Sequence, residues 1–260
     1  QRVNPPTGIL APLIDLIANP CNAEKLEMNI LDFVHFKKDS VRATNSLKRL
    51  DLNGYLTDDD DNSPILLGHL LTQFRQLREC KICDYNETGR IVVSLSDLSR
   101  LKHLERVELL GCTLEVNPEH HVLHGAIVNL PWLRVLEIRS CFGSFDFAQC
   151  HLPRLKVLRL ESSEGNLRLS PIPKGTRIYF PSLRDFEIRF CSGRVNFAQF
   201  RLPSLEDLTI GSLRELSFGA EPTDHGERDE GRIFNVDDLG RSPNLKIFGF
   251  YRSDLMVINR

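Results

Sequence analysis

Apolar residues recur along this chain in a short fixed pattern, Leu-x-x-Leu-x-Leu, followed three residues later by Cys or Ser. Residues 131–141 align with residues 181–191, and the match continues from 147–153 to 197–203. A further copy begins between them, at Leu155. The 50-residue period therefore consists of two shorter repeats, one of about 22 residues and one of about 28.

The alternating apolar positions of each copy predict a short β-strand with one buried face. Parallel stacking of such strands buries a continuous core that no single repeat could bury alone. Nine copies of the pattern follow one another in phase, with these apolar anchors: Ala23, Leu26 and Met28; Leu47, Leu50 and Leu52; Leu77, Cys80 and Ile82; Leu104, Val107 and Leu109; the repeats that start at Leu133, Leu155 and Leu183; Leu205, Leu208 and Ile210; Leu245, Phe248 and Phe250.

The residue eight positions after the first Leu should turn the chain away from the strand. A small polar side chain there can satisfy backbone groups of the following loop. Five repeats carry small residues at this position and four carry bulkier ones: Cys112, Cys141, Ser163, Cys191 and Ser253, against Leu31, Tyr55, Tyr85 and Leu213.

The segments between strands predict helices in the N-terminal half and irregular turns in the C-terminal half. Leucines from 66 to 77 have helical spacing, and Ser94 with Asp97 resembles a capping pair that opens a second helix. Irregular turns are expected around Phe147 and Phe197. The predicted fold is an α/β solenoid of about nine repeats, with a curved parallel sheet on the concave side and helices and turns on the convex side.

Two further regions complete the predicted organisation. Residues 1–22 should form an N-terminal helical cap or the tail of a preceding domain, because Pro12 can open a short helix that Pro20 ends. Residues 23–260 form the solenoid, interrupted by an acidic turn at 57–64 and a flexible insertion at about 219–232. Because residue 1 is Gln, we expect a processed chain or a fragment of a larger protein.

The recurring pattern Leu-x-x-Leu-x-Leu-x-x-Cys resembles the leucine-rich-repeat family, in particular its cysteine-containing members. Cys-bearing repeats of irregular length are similar to those of F-box proteins, in which the solenoid captures substrates for a ubiquitin ligase. The phrases 180–183 and 202–205, with 188–191, also look like repeats of plant nucleotide-binding immune receptors, where the solenoid senses pathogen effectors. A third interpretation is a scaffold subunit of a larger assembly. Each resemblance implies a non-catalytic protein-binding module.

Charge and cysteine content restrict the kinds of partner and the compartment that we expect for this chain. The formal net charge is -2 and the pI about 6.5, which favours neither nucleic acid nor an anionic membrane. Seven cysteines, too few and scattered for a disulfide scaffold, favour a reducing compartment, so we predict an intracellular protein, cytoplasmic or nuclear. The glycosylation triplet at Asn86 is a feature of secreted proteins and points the other way. The chain should be a monomer or part of a larger complex.

Two sets of residues have the spacing of redox or metal-binding sites. Cys80 and Cys83 form a C-x-x-C pair, but Cys80 occupies a core position of its repeat. His120 and His124 have a spacing that can hold a metal on a helix, without the general-base Glu of a metalloprotease motif. We therefore predict no enzyme activity, no metal and no cofactor.

The third, fifth and seventh residues of each repeat should point away from the core, onto the concave sheet. Charges alternate there from repeat to repeat, which has two explanations that do not exclude each other: cross-strand ion pairs that only stabilise the sheet, or a face that a protein partner reads. The predicted partner-binding residues are Arg106, Glu108, Leu110, Glu137, Arg139, Arg159, Glu161, Glu187, Arg189 and Tyr251.

Overall fold

The computed structural model describes residues 24–35, 46–56, 63–115, 128–163, 165–193, 195, 197–211, 244 and 247–251. The expected N-terminal cap, the residues 57–62 of the acidic turn, the His120–His124 pair, Ser253 and the insertion at about 219–232 lie outside these residues. For Tyr251 only the backbone is described.

Short parallel strands build almost all of the described structure. In chain order they are: β1 (Lys25–Asn29), β2 (Arg49–Gly54), β3 (Ile65–Leu66), β4 (Glu79–Asp84), β5 (Ile91–Ser94), β6 (Arg106–Leu110), β7 (Thr113–Glu115), β8 (Val128–Asn129), β9 (Val135–Arg139), β10 (Phe142–Phe145), β11 (Cys150–His151), β12 (Val157–Glu161), β13 (Leu167–Leu169), β14 (Ile178–Tyr179), β15 (Asp185–Arg189), β16 (Ser192–Gly193), β17 (Phe200–Arg201), β18 (Asp207–Gly211) and β19 (Ile247–Tyr251).

These strands form two main sheets, as in a parallel β-solenoid. The front sheet has nine strands in the order β1-β2-β4-β6-β9-β12-β15-β18-β19, and the back sheet has six in the order β16-β13-β10-β7-β5-β3. Two two-stranded sheets, β8 with β11 and β14 with β17, continue the stack. All described pairings are parallel. The predicted repeat solenoid is therefore confirmed at the level of its architecture.

Helices are few and short. The described ones are α1 (Ile30–His35), α2 (Gly68–Leu71) and α3 (Leu95–Leu98), with single 3-10 turns at Phe147–Gln149 and Phe197–Gln199. The helices expected through 66–77 and 94–101 last only one turn each. Ile65 and Ile91, which precede these segments, begin strands of the back sheet. Strands suit such β-branched residues. Ser94 precedes α3 as predicted, but its hydroxyl contacts Ser96 and does not cap the helix.

The core lies between the two sheets. The inward residues of the front strands stack in register, so that Leu50 lies beside Cys80 and Cys80 beside Val107. All three are buried. In the C-terminal half, aromatic rings fill the space, and their edge-to-face contacts contribute beyond the buried area itself. This cluster contains Phe145, Phe147, Phe186, Phe197 and Phe200.

Cysteine thiols close the turns that follow three front strands. Cys112, Cys141 and Cys191 are buried, and each thiol donates to a backbone carbonyl of its own turn at 3.2–3.4 Å. The prediction of a small polar residue eight positions after the first Leu is confirmed for these cysteines. In the repeat of Leu155 it is off by one: Ser162 is buried and accepts from the Leu167 amide at 3.2 Å, while Ser163 is exposed.

Serine side chains join successive repeats at the opposite end of the strands. Ser182 Oγ donates to the carbonyl of Pro153 at 3.0 Å, and Ser204 Oγ donates to that of Pro181 at 2.7 Å. Asn244 Nδ2 continues the series by donating to the Pro203 carbonyl at 3.2 Å. The recurring Pro-Ser-Leu phrases therefore have a structural role, in which each serine satisfies a carbonyl of the preceding repeat.

Candidate interaction face

The outward side of the front sheet, called the front face below, presents three rows of side chains that cross the strands. Strand register places equivalent positions side by side, about 4.8 Å apart. The described rows are: a first row of Lys25, Arg49, Glu79, Arg106, Val135, Val157, Asp185 and Asp207; a middle row of Glu27, Asp51, Lys81, Glu108, Glu137, Arg159, Glu187 and Thr209; and a last row of Asn29, Asn53, Cys83, Leu110, Arg139, Glu161, Arg189 and Gly211.

Glu137 is at the centre of an ion-pair network on this face. Its side chain is only 10% exposed, and three guanidinium groups surround the carboxylate. Arg139 lies 2.7 Å away on the same strand, Arg106 3.2 Å away on β6, and Arg159 3.6 Å away on β12. A nearly buried carboxylate requires such compensation, because burial of an unpaired charge is costly.

Arg159 extends the network towards the C-terminal repeats. It contacts Asp185 at 2.6 Å and Glu187 at 3.5 Å, both on β15, and Glu187 in turn pairs with Arg189 at 2.5 Å. The network thus runs across β6, β9, β12 and β15. Glu108 joins it through a close contact with Arg106.

A second group of ion pairs covers the N-terminal strands. Asp51, which is buried, accepts from Arg49 at 3.1 Å and lies 3.5 Å from Lys25. Arg49 also pairs with Glu79 at 3.1 Å, and Lys25 with Glu27 at 3.0 Å. Most charges of the front face are therefore neutralised within the protein itself.

Three charged side chains differ from the others. Within the described part of the chain, Lys81, Glu161 and Asp207 make no ion pair. The neighbours of Glu161 in its row, Arg139 and Arg189, pair instead with glutamates of their own strands. The predicted checkerboard thus forms around Arg159 in the middle row, but no ion pair joins neighbours of the last row.

Three exposed aromatic residues lie directly after strands of the front sheet. Tyr55 follows β2 and is 68% exposed, Tyr85 follows β4 and is 42% exposed, and Phe190 follows β15 and is 45% exposed. We call these three residues the aromatic rim. They share one edge of the sheet, because parallel strands all end on the same side.

Tyr55 and Tyr85 stack on each other, with ring centroids 5.0 Å apart. The Tyr85 hydroxyl donates to Asn53 Oδ1 at 3.4 Å and lies beside the thiol of Cys83. Tyr85 therefore folds back over the last row and covers Cys83, which is buried although it points outward. Burial raises the pKa of the Cys83 thiol.

The two cysteines of the C-x-x-C pair point to opposite sides of β4. Cys80 lies in the core, where burial raises the pKa of its thiol to about 12, and Cys83 lies under Tyr85. A strand places residues three apart on opposite faces, so these thiols cannot ligate one ion together. Among the residues that the structure describes, no group of three His, Cys, Asp or Glu side chains is arranged to hold a metal ion.

Buried Asp84 organises the turn that carries Tyr85. Its carboxylate accepts from the amides of Leu56, Asn86 and Thr88. Asn86, the residue of the glycosylation triplet, donates through Nδ2 to the Leu56 carbonyl at 2.7 Å. The triplet is thus part of the turn structure.

The structure brings nine of the ten predicted residues onto one face. Seven belong to the central network, while Glu161 and Leu110 lie beside it on the front face. Tyr251 belongs to β19, next to Gly211. Sequence reasoning missed Asp51 of the N-terminal ion pairs, Asp185 of the central network and the aromatic rim, although Tyr55 and Tyr85 had stood out as departures from the repeat pattern.

No protein-family model matches this chain, and no curated protein matches it at a significant level. None of the described helices is long and apolar enough to cross a membrane.

Proposed function

We propose that this chain is a non-catalytic recognition module of the leucine-rich-repeat type, and that it binds a protein partner on the front face. The observation that carries the proposal is the aromatic rim, which exposes three large rings beside a face whose charges are largely self-neutralised. Aromatic side chains dominate the energetic centres of protein interfaces, because they bury much area at little entropic cost.

The ion pairs of the central network support the sheet, and the partner gains its affinity mainly at the rim. Exposed ion pairs contribute on the order of 0–1 kcal/mol each, whereas a buried aromatic anchor contributes 2 kcal/mol or more. This assigns Arg106, Glu108, Glu137, Arg139, Arg159, Glu187 and Arg189 to the shape and polarity of the binding face.

Within this class we favour the substrate-binding domain of an F-box-type ubiquitin-ligase receptor. The proposal rests on the cysteine-closed turns and the irregular repeat length. The sensor domain of a nucleotide-binding immune receptor is the alternative, on the strength of the Pro-Ser-Leu phrases. A scaffold subunit is a third possibility. An intracellular location is supported by six described free cysteines and by the engagement of Asn86 in its turn.

The test of protein recognition is a quantitative affinity purification from source cells with the full-length native protein as bait. The rim variant carries Tyr55→Ser, Tyr85→Ser and Phe190→Asn. The control carries Tyr179→Ser, which removes an equally exposed ring from β14, away from the front face. We expect a partner that the wild type and the control retain and the rim variant loses at least tenfold. Equal recovery by all three proteins would refute the assignment of the rim.

The same purification separates the finer alternatives. Co-purified ubiquitin-ligase subunits, with a partner whose cellular half-life lengthens in the rim variant, would support the F-box assignment. A nucleotide-binding domain on the same polypeptide, with no change in partner half-life, would favour the immune-receptor alternative.

A further inference from the structure

The last row of the front face changes from uncharged to charged residues along the sheet. From β1 to β6 it is uncharged, with Asn29, Asn53, Cys83 and Leu110, whereas from β9 to β15 it carries Arg139, Glu161 and Arg189. An incoming side chain therefore meets no fixed charge along the N-terminal part of this row. A partner that covers this stretch therefore buries no charge of the row.

The stacked tyrosines lie along this uncharged stretch. Tyr85 covers Cys83 and reaches Asn53, and Tyr55 extends the aromatic surface to the neighbouring repeat. Leu110, which is partly exposed, adds an apolar side chain on the next strand. We call Asn53, Tyr55, Cys83, Tyr85 and Leu110 the tyrosine platform.

Lys81 is the cation next to the tyrosine platform. Its neighbours in the middle row are Asp51 and Glu108, but Asp51 is engaged by Arg49 and Lys25, and Glu108 by Arg106. Within the described residues Lys81 makes no ion pair. An ammonium group beside an aromatic surface, with both adjacent carboxylates already engaged, is complementary to an incoming anion.

We propose that the partner binds the tyrosine platform through a polypeptide segment in which a carboxylate lies beside an apolar side chain. The carboxylate pairs with Lys81, and the apolar side chain packs on the rings of Tyr55 and Tyr85. This inference rests on the proposed function, since it names the chemistry of the partner at one part of the same face.

The experiment uses a phage-displayed random peptide library as the probe and the full chain as the immobilised target. The library is first depleted on a Tyr55→Ser/Tyr85→Ser variant. We expect the enriched peptides to share Asp or Glu next to a Leu, Phe, Tyr or Pro residue. Synthetic versions of these peptides are then measured by fluorescence polarisation against each variant.

We expect the double tyrosine variant to weaken peptide binding at least tenfold, and Lys81→Gln to weaken it about three- to tenfold, with a loss of salt dependence. Lys156→Gln is the matched control, because Lys156 is exposed and lies before β12, outside the platform. A parallel selection on Lys81→Glu should enrich Lys- or Arg-containing peptides. Unchanged melting temperatures verify that each variant folds.

Three results would overturn the inference: no enrichment on the wild type, enriched peptides without acidic residues, or equal binding to the double variant. None of these three results decides the proposed function, which the affinity purification tests separately. If the rim variant still loses its cellular partner, recognition by the front face stands and only the acidic segment is wrong. If the rim variant retains its cellular partner, both proposals fail.

Discussion

Phe190 combines two properties that a purely structural residue would avoid. Its backbone has a φ of 54°, in the left-handed region, and its ring is 45% exposed. The residues that immediately precede Cys112 and Cys141 have the same backbone conformation, and they are the smaller Gly111 and Ser140. A bulky residue in this conformation costs on the order of 1 kcal/mol, so its presence on the rim agrees with a role in binding.

Replacement of Phe190 by Asn should therefore stabilise the protein while it weakens partner binding. Asn adopts the left-handed conformation more readily, and we expect the free energy of unfolding to rise by up to about 1 kcal/mol. Urea denaturation measures the change. Tyr179→Asn, at an exposed residue with ordinary backbone dihedrals, should give no such gain. A lower free energy of unfolding for Phe190→Asn would show that the Phe190 ring makes stabilising contacts in the free protein.

Tyr85 controls the solvent accessibility of the Cys83 thiol. Removal of the ring by Tyr85→Ser uncovers the thiol and lowers its raised pKa towards the ordinary value, so the thiolate fraction at pH 8 increases. We expect alkylation of Cys83 by iodoacetamide to accelerate at least tenfold, as followed by peptide mass spectrometry. Cys80, in the core, is the internal control and should stay protected in both proteins.

At the scale of elements, each turn is held by the repeat next to it. Glycine is required at position 111 for two reasons: its φ is positive, and a Cβ there would meet the Asp84 carbonyl oxygen at 2.2 Å. At the other end of the strands, the serines of the Pro-Ser-Leu phrases bond to carbonyls 23 and 29 residues earlier in the chain. These contacts link neighbouring repeats through their backbone carbonyl groups.

Loss of these serine hydroxyls should therefore weaken the stack. We expect Ser182→Ala and Ser204→Ala each to lower the free energy of unfolding by about 0.5–1.5 kcal/mol, since each removes a hydrogen bond to a carbonyl. Ser163→Ala, at an exposed position, should stay within about 0.5 kcal/mol of wild type. Urea denaturation with equal m-values tests both expectations. Equal stability of all three variants would show that water satisfies the proline carbonyls.

At the scale of the whole molecule, each repeat contacts mainly its neighbours, so stability is a sum of interfaces along the stack. The aromatic cluster strengthens the interfaces between β9 and β18 from inside. The central network strengthens the interfaces from β6 to β15 from outside, because Glu137 and Arg159 each contact charges on adjacent strands.

Glu137 should be the most sensitive carboxylate of this network. Glu137→Gln leaves three guanidinium groups without their shared anion, and we expect a loss of about 1–3 kcal/mol in the free energy of unfolding. Glu161→Gln is the matched control on the next strand, and because Glu161 makes no ion pair in the described structure it should change stability by less than about 0.5 kcal/mol. A similar effect of both substitutions would mean that the network contributes nothing beyond general charge balance.

The repeat pattern alone determined the inward face and the parallel stack. Leu50, Val107 and Leu208 were predicted as core residues and are buried, because alternation along a strand is a local property. The predicted helices form only as single turns, since apolar residues at helical spacing also fit a short strand followed by one turn. The back sheet forms where Ile65 pairs with Ile91, a contact that no local pattern reveals.

The sequence by itself also placed the charged rows on one face, but only the tertiary structure decided which charges pair. Register sets Arg159 between Glu137 and Glu187, and side-chain direction then turns Arg139 and Arg189 away from Glu161. The stacking of the tyrosines was decided in the same way. The contacts between strands join residues 22 to 31 positions apart. Their outcome depends on distances of an ångström or less, which the identity of the residues does not specify.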